Sequence, residues 1–156
     1  FLKFFTFLSA EQIDEIEAQD KASGMKPQAQ GILAREVTEL VHGEQGLSAA
    51  VRISEALFSG DIASLTAEDL QQLEQDGLPC STISIESNGI VEVLVATELA
   101  KSNKMAREFI GNNAVSVNGQ LVADQDFALT QEKALHTQYF VLKRGKKLFH
   151  LVKLVA

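Results

Sequence analysis

The chain has 156 residues, of which 46% are hydrophobic and 22% charged, which is the composition of a folded globular protein and excludes a disordered chain. No stretch holds the roughly 18 apolar residues that a membrane span needs, so no membrane association is expected. The single cysteine, Cys80, excludes an internal disulfide, and no cysteine and histidine cluster has zinc spacing. We therefore expect a cytoplasmic protein that is stable through packing.

The formal net charge of −7 is distributed unevenly along the chain. Residues 1–86 carry fifteen acidic and five basic side chains, whereas residues 87–156 carry six acidic and nine basic ones. This asymmetry predicts two units with different partners, of which the basic second one is able to approach a polyanion.

The first half has the pattern of helices joined by short caps. Its apolar opening, residues 1–8, lacks a basic leader and a cleavage site, so it predicts a buried helix or strand and not a signal peptide. A start inside an apolar run, without methionine, suggests a piece of a longer protein. Four further helices are predicted, and together these elements form a small α-helical bundle over residues 1–80. Ser9 and Gln12 have the spacing of a capping box at the start of the first of these helices. The other residues that begin or end those helices are Pro27, Gly43, Gly60, Thr66 and Gly77.

The second half is predicted to be mixed. Pro79 disfavours a continued helix and strand-like alternation begins at Ile83, so a domain border is expected near residue 80. Two helices follow, residues 90–99 and a second that Ser102 caps. Asn118-Gly119 predicts a tight hairpin, and a second hairpin is expected around the basic turn of residues 143–147. The fold class is α+β, with a small mixed α/β domain over residues 81–156.

Two groups of basic residues stand out in this second half. The turn Lys143-Arg144-Gly145-Lys146-Lys147 places four positive charges on one hairpin tip, where phosphates could neutralise them; the alternative is a solubilising turn. Lys104 and Arg107 share one helix face, where the alternative is an ordinary solvated surface with Lys104 paired to Glu108.

The surrounding residues 99–119 resemble the RNA-binding domain named after ribosomal protein S-four. That family has a Ser-led basic helix, a small-residue turn and a short strand that ends in Val-Asn-Gly. Ser102, Arg107 and residues 117–119 match this pattern, whereas Asn103 and Lys104 stand where other residues are commoner. The resemblance implies an RNA-binding surface, with polar contacts that suit the recognition of structured RNA by shape and backbone. Its expected residues are Ser102, Asn103, Lys104, Arg107, Asn112, Asn113, Asn118, Lys143, Arg144, Lys146 and Lys147.

The resemblance extends over the whole chain. Residues 1–9, 35–46, 55–60 and 143–147, in this order and spacing, look like the C-terminal part of bacterial tyrosyl-tRNA synthetases. This resemblance implies a helical anticodon-binding domain over residues 1–80 and an S-four-type tail that holds tyrosine tRNA near its long variable arm.

The same resemblance implies that catalysis lies elsewhere. The nucleotide-binding domain that activates tyrosine with ATP and magnesium, and through which the intact enzyme dimerises, has signature motifs that this chain lacks. The piece is expected to be inactive, without a cofactor or metal of its own, and monomeric. His42, His136 and His150 are far apart in sequence with no serine or cysteine expected nearby, so a hydrolytic triad is not supported.

Two other hypotheses stay open at this point. One is a free-standing RNA-binding or ribosome-associated protein with an S-four-type domain. The other is a protein-interaction module, in which the acidic helices bind a partner and the basic turn only aids solubility. The salt dependence of RNA binding distinguishes the last hypothesis from the others, because phosphate contacts weaken steeply as salt rises.

Overall fold

The computed structural model describes residues 1–24 and 27–155. Helices precede a sheet into which two more helices are inserted, so the predicted α+β class is confirmed. Within the described ranges, no helix combines the length and the apolar character needed to cross a membrane. The elements are α1 (Leu2–Phe5), α2 (Ala10–Ser23), α3 (Gln28–Ser59), α4 (Ala67–Gln75), β1 (Cys80–Ser84), α5 (Ile90–Ala96), α6 (Asn103–Gly111), β2 (Val115–Val117), β3 (Gln120–Leu121), β4 (Tyr139–Arg144) and β5 (Leu148–Val155).

The chain divides into two compact units, Phe1–Arg52 and Ile53–Ala156. The division lies inside α3, well before the border that the sequence predicts near residue 80. The helical residues from Ile53 onward therefore belong to the same unit as the sheet.

The first unit contains α1, α2 and most of α3. Ser9 and Gln12 form the predicted capping box: the Ser9 hydroxyl accepts the Gln12 N–H at 3.2 Å, and the Gln12 side chain accepts the Ser9 N–H at 2.9 Å. The Asp20 carboxylate accepts the N–H groups of Gln28 and Ala29 at 2.7 and 3.0 Å. These bonds satisfy free donors at the start of α3 and place a negative charge where the helix dipole favours it.

The apolar opening of the chain is less buried than the sequence predicts. Leu2 is buried, but Phe1, Phe4, Phe5 and Phe7 are 53–88% exposed. The reason is geometric, because α1 is a single turn that projects its side chains in all directions and buries only one of them within the unit. The prediction of a buried element is therefore wrong for the four phenylalanines.

Gly43 divides α3 into two consecutive helices. Its backbone angles, φ 71° and ψ 179°, are not helical, and helical segments lie on both sides. A residue with a Cβ resists this conformation, which explains the glycine. The helix end predicted at this position is confirmed, and a kink at Gly43 joins the two helices.

The second unit is built on a five-stranded sheet in the order β1-β5-β4-β2-β3. Both hairpins predicted from the sequence are present, β2–β3 and β4–β5, and β2 also pairs with β4. The parallel pair of β1 with β5, which begins at Cys80↔Leu151, was not predicted. It joins segments about 70 residues apart in the chain and brings the start of the sheet region against its last strand.

The sheet is covered on both faces, which places two hydrophobic cores back to back. Successive strand residues point to opposite faces, so Phe140 and Leu142 of β4 join one core while Tyr139 and Val141 join the other. The first core contains α5 and α6. The second contains residues from the end of α3, the short 3-10 turn that follows it, and α4: Ile53, Ala56, Ile62, Leu65, Leu70 and Leu73.

This second core explains the early division of the chain. The six buried apolar residues between Ile53 and Leu73 pack against Tyr139, Val141 and Leu151 of the sheet. Glu74 of α4 adds an ion pair with Lys153 of β5, at 3.6 Å. The sequence shows the helical periodicity of these residues, but it does not show which surface they cover.

Candidate nucleic-acid interface

The basic turn is the tip of the β4–β5 hairpin. Arg144 and Leu148 are the last paired residues, and Gly145 takes a positive φ of 63° in the turn between them. The Gly145 N–H donates to the carbonyl oxygen of Ala114 at 2.8 Å, and Val115 of β2 pairs with Arg144. The tip is therefore held by main-chain bonds against the segment that joins α6 to β2.

Helix α6 supplies the second basic group in the predicted manner. Ser102 caps the helix by accepting the Met105 N–H at 3.3 Å. Ala106 and Ile110 are buried, which leaves Lys104 and Arg107 exposed on the other side of the helix. Asn103, the first residue of α6, is exposed as well.

The turn after α6 carries two of the predicted asparagines. Asn112 caps the helix C-terminus, and Asn113 takes the left-handed conformation with φ 54°, which asparagine tolerates better than most residues. Both side chains are exposed. The Ala114 N–H returns to the Phe109 carbonyl at 2.9 Å, so the turn is fixed by its own backbone.

Two aromatic rings contact the charged groups of the first two basic residues of the tip. The Arg144 guanidinium lies 4.8 Å from the ring centre of Phe109 in α6, and the Lys143 ammonium lies 5.1 Å from that of Phe149. Both are cation–π contacts, and both cations are half-buried. The tip and α6 therefore meet at Phe109, while the next two lysines remain exposed.

None of these cations is neutralised within the part of the chain that the structure describes. No carboxylate oxygen there lies within 4.0 Å of their charged nitrogens, and the expected alternative of a Lys104–Glu108 pair is not formed. A tip with four uncompensated charges has unfavourable self-repulsion that a polyanion relieves. The cations in question are Lys104, Arg107, Lys143, Arg144, Lys146 and Lys147.

Asn118 differs from the other predicted contact residues, because its side chain is already engaged inside the protein. Its carbonyl oxygen accepts the Val141 N–H at 2.9 Å, and its amide donates to the Lys133 carbonyl at 3.0 Å. With a positive φ at both Asn118 and Gly119, the turn has the geometry that a two-residue hairpin requires. The structure thus gives Asn118 a definite role in joining β2 to β4.

The basic tip also borders a feature that the sequence analysis missed. A shallow hollow of about 370 Å³, here called the tip hollow, lies between the tip and the end of α6. Its lining combines apolar residues with cationic ones. The available signal in the sequence was a large apolar residue, Leu148, directly after a basic turn. In the structure this leucine is 46% exposed. The side chains that line it are Phe109, Ala114, Arg144, Lys146, Lys147 and Leu148.

The expectation that no serine lies near a histidine is wrong. The Ser81 hydroxyl is 2.8 Å from Nε2 of His150, because the parallel pair of β1 and β5 brings them together. Burial lowers the pKa of His150, and the nearby Glu98 carboxylate opposes that shift. The lowered pKa favours the neutral imidazole, and the ring tautomer decides which of the two groups donates the hydrogen bond. His136 has a separate partner, since its Nε2 donates to the Leu65 carbonyl at 2.8 Å.

Comparison with known proteins agrees with this architecture. Residues 69–152 match the family model for the tyrosine–tRNA ligase SYY-like C-terminal domain. A tyrosine–tRNA ligase of Aliivibrio fischeri strain MJ11 is 61% identical over 97% of this chain and 35% of its own length. One from Laribacter hongkongensis is 54% identical over 97% of this chain and 36% of its own length.

A solved structure agrees as well. The solution structure of a tyrosyl-tRNA synthetase C-terminal domain is 39% identical, with a TM-score of 0.50, and matches 64% of this chain and all of that one. The chain spans about a third of the length of the curated relatives named above, at their tyrosine–tRNA ligase C-terminal region. Because the matching model covers more than half of its residues, the chain belongs to the family of tyrosine–tRNA ligase SYY-like C-terminal domains.

Proposed function

We propose that this chain binds tyrosine tRNA and, within a longer tyrosine–tRNA ligase, positions that tRNA for aminoacylation. The observation that carries the proposal is the group of six cations on α6 and the hairpin tip that have no carboxylate partner among the described residues. Phosphates are the natural counter-charges for such a surface, and structured RNA is recognised mainly through its backbone and shape.

The rigidity of the surface supports the proposal. Main-chain bonds hold the tip against the α6–β2 segment, and the charged groups of Arg144 and Lys143 lie over aromatic rings. A preorganised cationic surface loses little conformational entropy when it binds, which favours affinity. Ser102, Asn103, Asn112 and Asn113 are exposed beside these cations and are the proposed polar contacts to phosphate or 2′-hydroxyl groups.

The remaining parts of the proposal concern the longer protein. Residues 1–80 are proposed to contact the anticodon region, and residues 81–156 to bind near the long variable arm. Tyrosine activation with ATP and magnesium belongs to a nucleotide-binding domain whose signature motifs are not found in these 156 residues. That domain is also the proposed site of homodimerisation, so we expect the present chain to be monomeric, without its own cofactor, and cytoplasmic.

The test is the salt dependence of binding to a transcript of the tyrosine tRNA of Aliivibrio fischeri. Lys146 and Lys147 are exposed, so replacing both with alanine removes charge without disturbing a core. We expect the slope of log affinity against log salt to become shallower by roughly 0.7–0.9 per lost phosphate contact. A double variant of Lys3 and Lys21, in the first unit, is matched in charge and should retain the slope more fully. An unchanged slope for the Lys146/Lys147 variant would contradict the RNA role of the tip.

Specificity requires a second comparison. Binding of tyrosine tRNA is measured beside that of another tRNA with a long variable arm, at two salt concentrations. We expect tyrosine tRNA to bind more tightly at both. Equal binding would mean that the chain holds RNA without contributing to the choice of tRNA.

A further inference from the structure

We infer that the tip hollow holds one unpaired nucleobase of the bound RNA, so that the basic tip contacts a base as well as phosphates. This inference rests on the proposed RNA-binding function and extends it. The tip hollow does not match a simple phosphate site, because part of its lining is apolar.

The apolar part of the tip hollow has no use in phosphate binding. Phe109, Ala114 and Leu148 present carbon atoms to the space, and Leu148 is 46% exposed although it is a large aliphatic residue. Placing a phosphate against such a surface removes water from a charge without returning hydrogen bonds, which is unfavourable. A nucleobase has apolar faces and a polar edge, and its faces suit this lining.

The cationic part of the tip hollow fits the same ligand. Arg144 lines the space while its guanidinium rests 4.8 Å from the centre of the Phe109 ring. Unstacked RNA bases are commonly held on aromatic rings and on the planes of arginine guanidinium groups. Lys146 and Lys147, exposed at the rim, lie where they could neutralise the phosphates on either side of that base.

The size and rigidity of the tip hollow agree with this use. Its volume of about 370 Å³ lies within the range of roughly 300–1,000 Å³ that is typical of small-ligand sites. The bond from the Gly145 N–H to the Ala114 carbonyl, at 2.8 Å, holds its two walls together before any RNA binds. A duplex keeps its bases stacked and paired, so the ligand must be a nucleotide from a loop, a bulge or a junction.

The experiment uses the 156-residue chain and transcripts of the tyrosine tRNA of Aliivibrio fischeri that each carry one abasic nucleotide at an unpaired position. We expect one position at which loss of the base lowers affinity by roughly 5- to 150-fold, the range known for base stacking. Leu148→Ala and Arg144→Lys should each reduce that penalty. Arg144→Lys keeps the charge but loses the planar stacking surface, so the salt slope should stay the same.

Controls separate this inference from the proposed function. Leu121→Ala truncates a leucine that is 60% exposed on β3, outside the tip hollow, and should leave the abasic penalty unchanged. If no abasic position matters, or if the penalty is undiminished in the Leu148 and Arg144 variants, the base site is refuted. The proposed function stands in that case as long as the Lys146/Lys147 variant loses salt slope. A Tyr139 emission equal to that of the wild-type chain in urea identifies any variant that fails to fold, because the residue is buried in the fold.

Discussion

Replacing Gly119 with alanine tests how closely the β2–β3 turn is seated on the end of α3. A Cβ on Gly119 would overlap the carbonyl oxygen of Gly60 and lie 3.2 Å from its carbonyl carbon. Gly119 also has a φ of 82°, which side chains rarely adopt. The change therefore combines backbone strain with a clash against main-chain atoms that cannot rotate away.

Gly145 provides a matched control for the strain alone. It has a φ of 63° in the other hairpin turn, and a Cβ there would meet nothing within 4 Å. Gly145→Ala should therefore cost about 1–2 kcal/mol of unfolding free energy, the usual penalty of the left-handed conformation. Gly119→Ala should cost about 1–3 kcal/mol more, as an overpacked contact does. Effects on the unfolded chain are similar for both changes and cancel in the comparison.

Urea unfolding followed by tyrosine fluorescence is the appropriate assay. Tyr139 is the only tyrosine, the chain has no tryptophan, and the ring is 1% exposed between the sheet and residues 53–73. Its emission therefore reports on the unit that contains both glycines. Equal losses of stability in the two variants, within about 0.5 kcal/mol, would show that Gly119 does not pack closely against the Gly60 carbonyl and would refute the predicted clash.

Three further changes have defined outcomes. Asn118→Gly keeps the turn conformation but removes two internal hydrogen bonds, so it should lower the unfolding free energy in urea by about 1–3 kcal/mol. It should leave the salt slope of RNA binding intact. A reduced slope at full stability would instead make Asn118 an RNA contact. The pKa of His150 is lower in the fold than the usual 6.5 of an unfolded chain. The neutral imidazole therefore adds its full stabilisation to the unfolding free energy above about pH 7, and this stabilisation is lost as pH falls. Unfolding free energy measured from pH 7.5 to 5.5 should decline less steeply in His150→Gln than in a control variant of the exposed His42, and equal declines would contradict this. Thr66→Ala removes the capping box of α4 and should lower the unfolding free energy by about 1 kcal/mol. Thr66→Ser keeps the capping hydroxyl and should retain most of that stability in the same urea assay.

Features set by neighbouring residues were predictable from the sequence. The capping boxes at Ser9 and Thr66 form because a side chain reaches main-chain donors three residues ahead, and that spacing is visible in the sequence. The turn at Asn118-Gly119 forms because both residues tolerate positive φ. The surface position of Lys104 followed in the same way from helical periodicity.

Features set by contacts between distant residues were not predictable. The pair of Ser81 and His150 depends on a parallel strand pairing that no local pattern specifies. The four consecutive buried residues of β4, Tyr139 to Leu142, indicate a strand with both faces covered, but not what covers them. The tip hollow was not predicted for a similar reason. Helical periodicity places Phe109 on the inward face of α6, and only the fold brings Arg144 of the distant hairpin beside it.

The two-sided covering of the sheet has a practical consequence for dissecting this protein. A shortened chain that began at residue 80 would retain every strand, yet it would leave Tyr139, Val141 and Leu151 facing water. Exposed apolar patches of that kind promote aggregation. A soluble minimal RNA-binding piece must therefore begin at or before Ile53. The last two turns of α3 belong in it because they cover the sheet, although they carry none of the proposed RNA-binding cations.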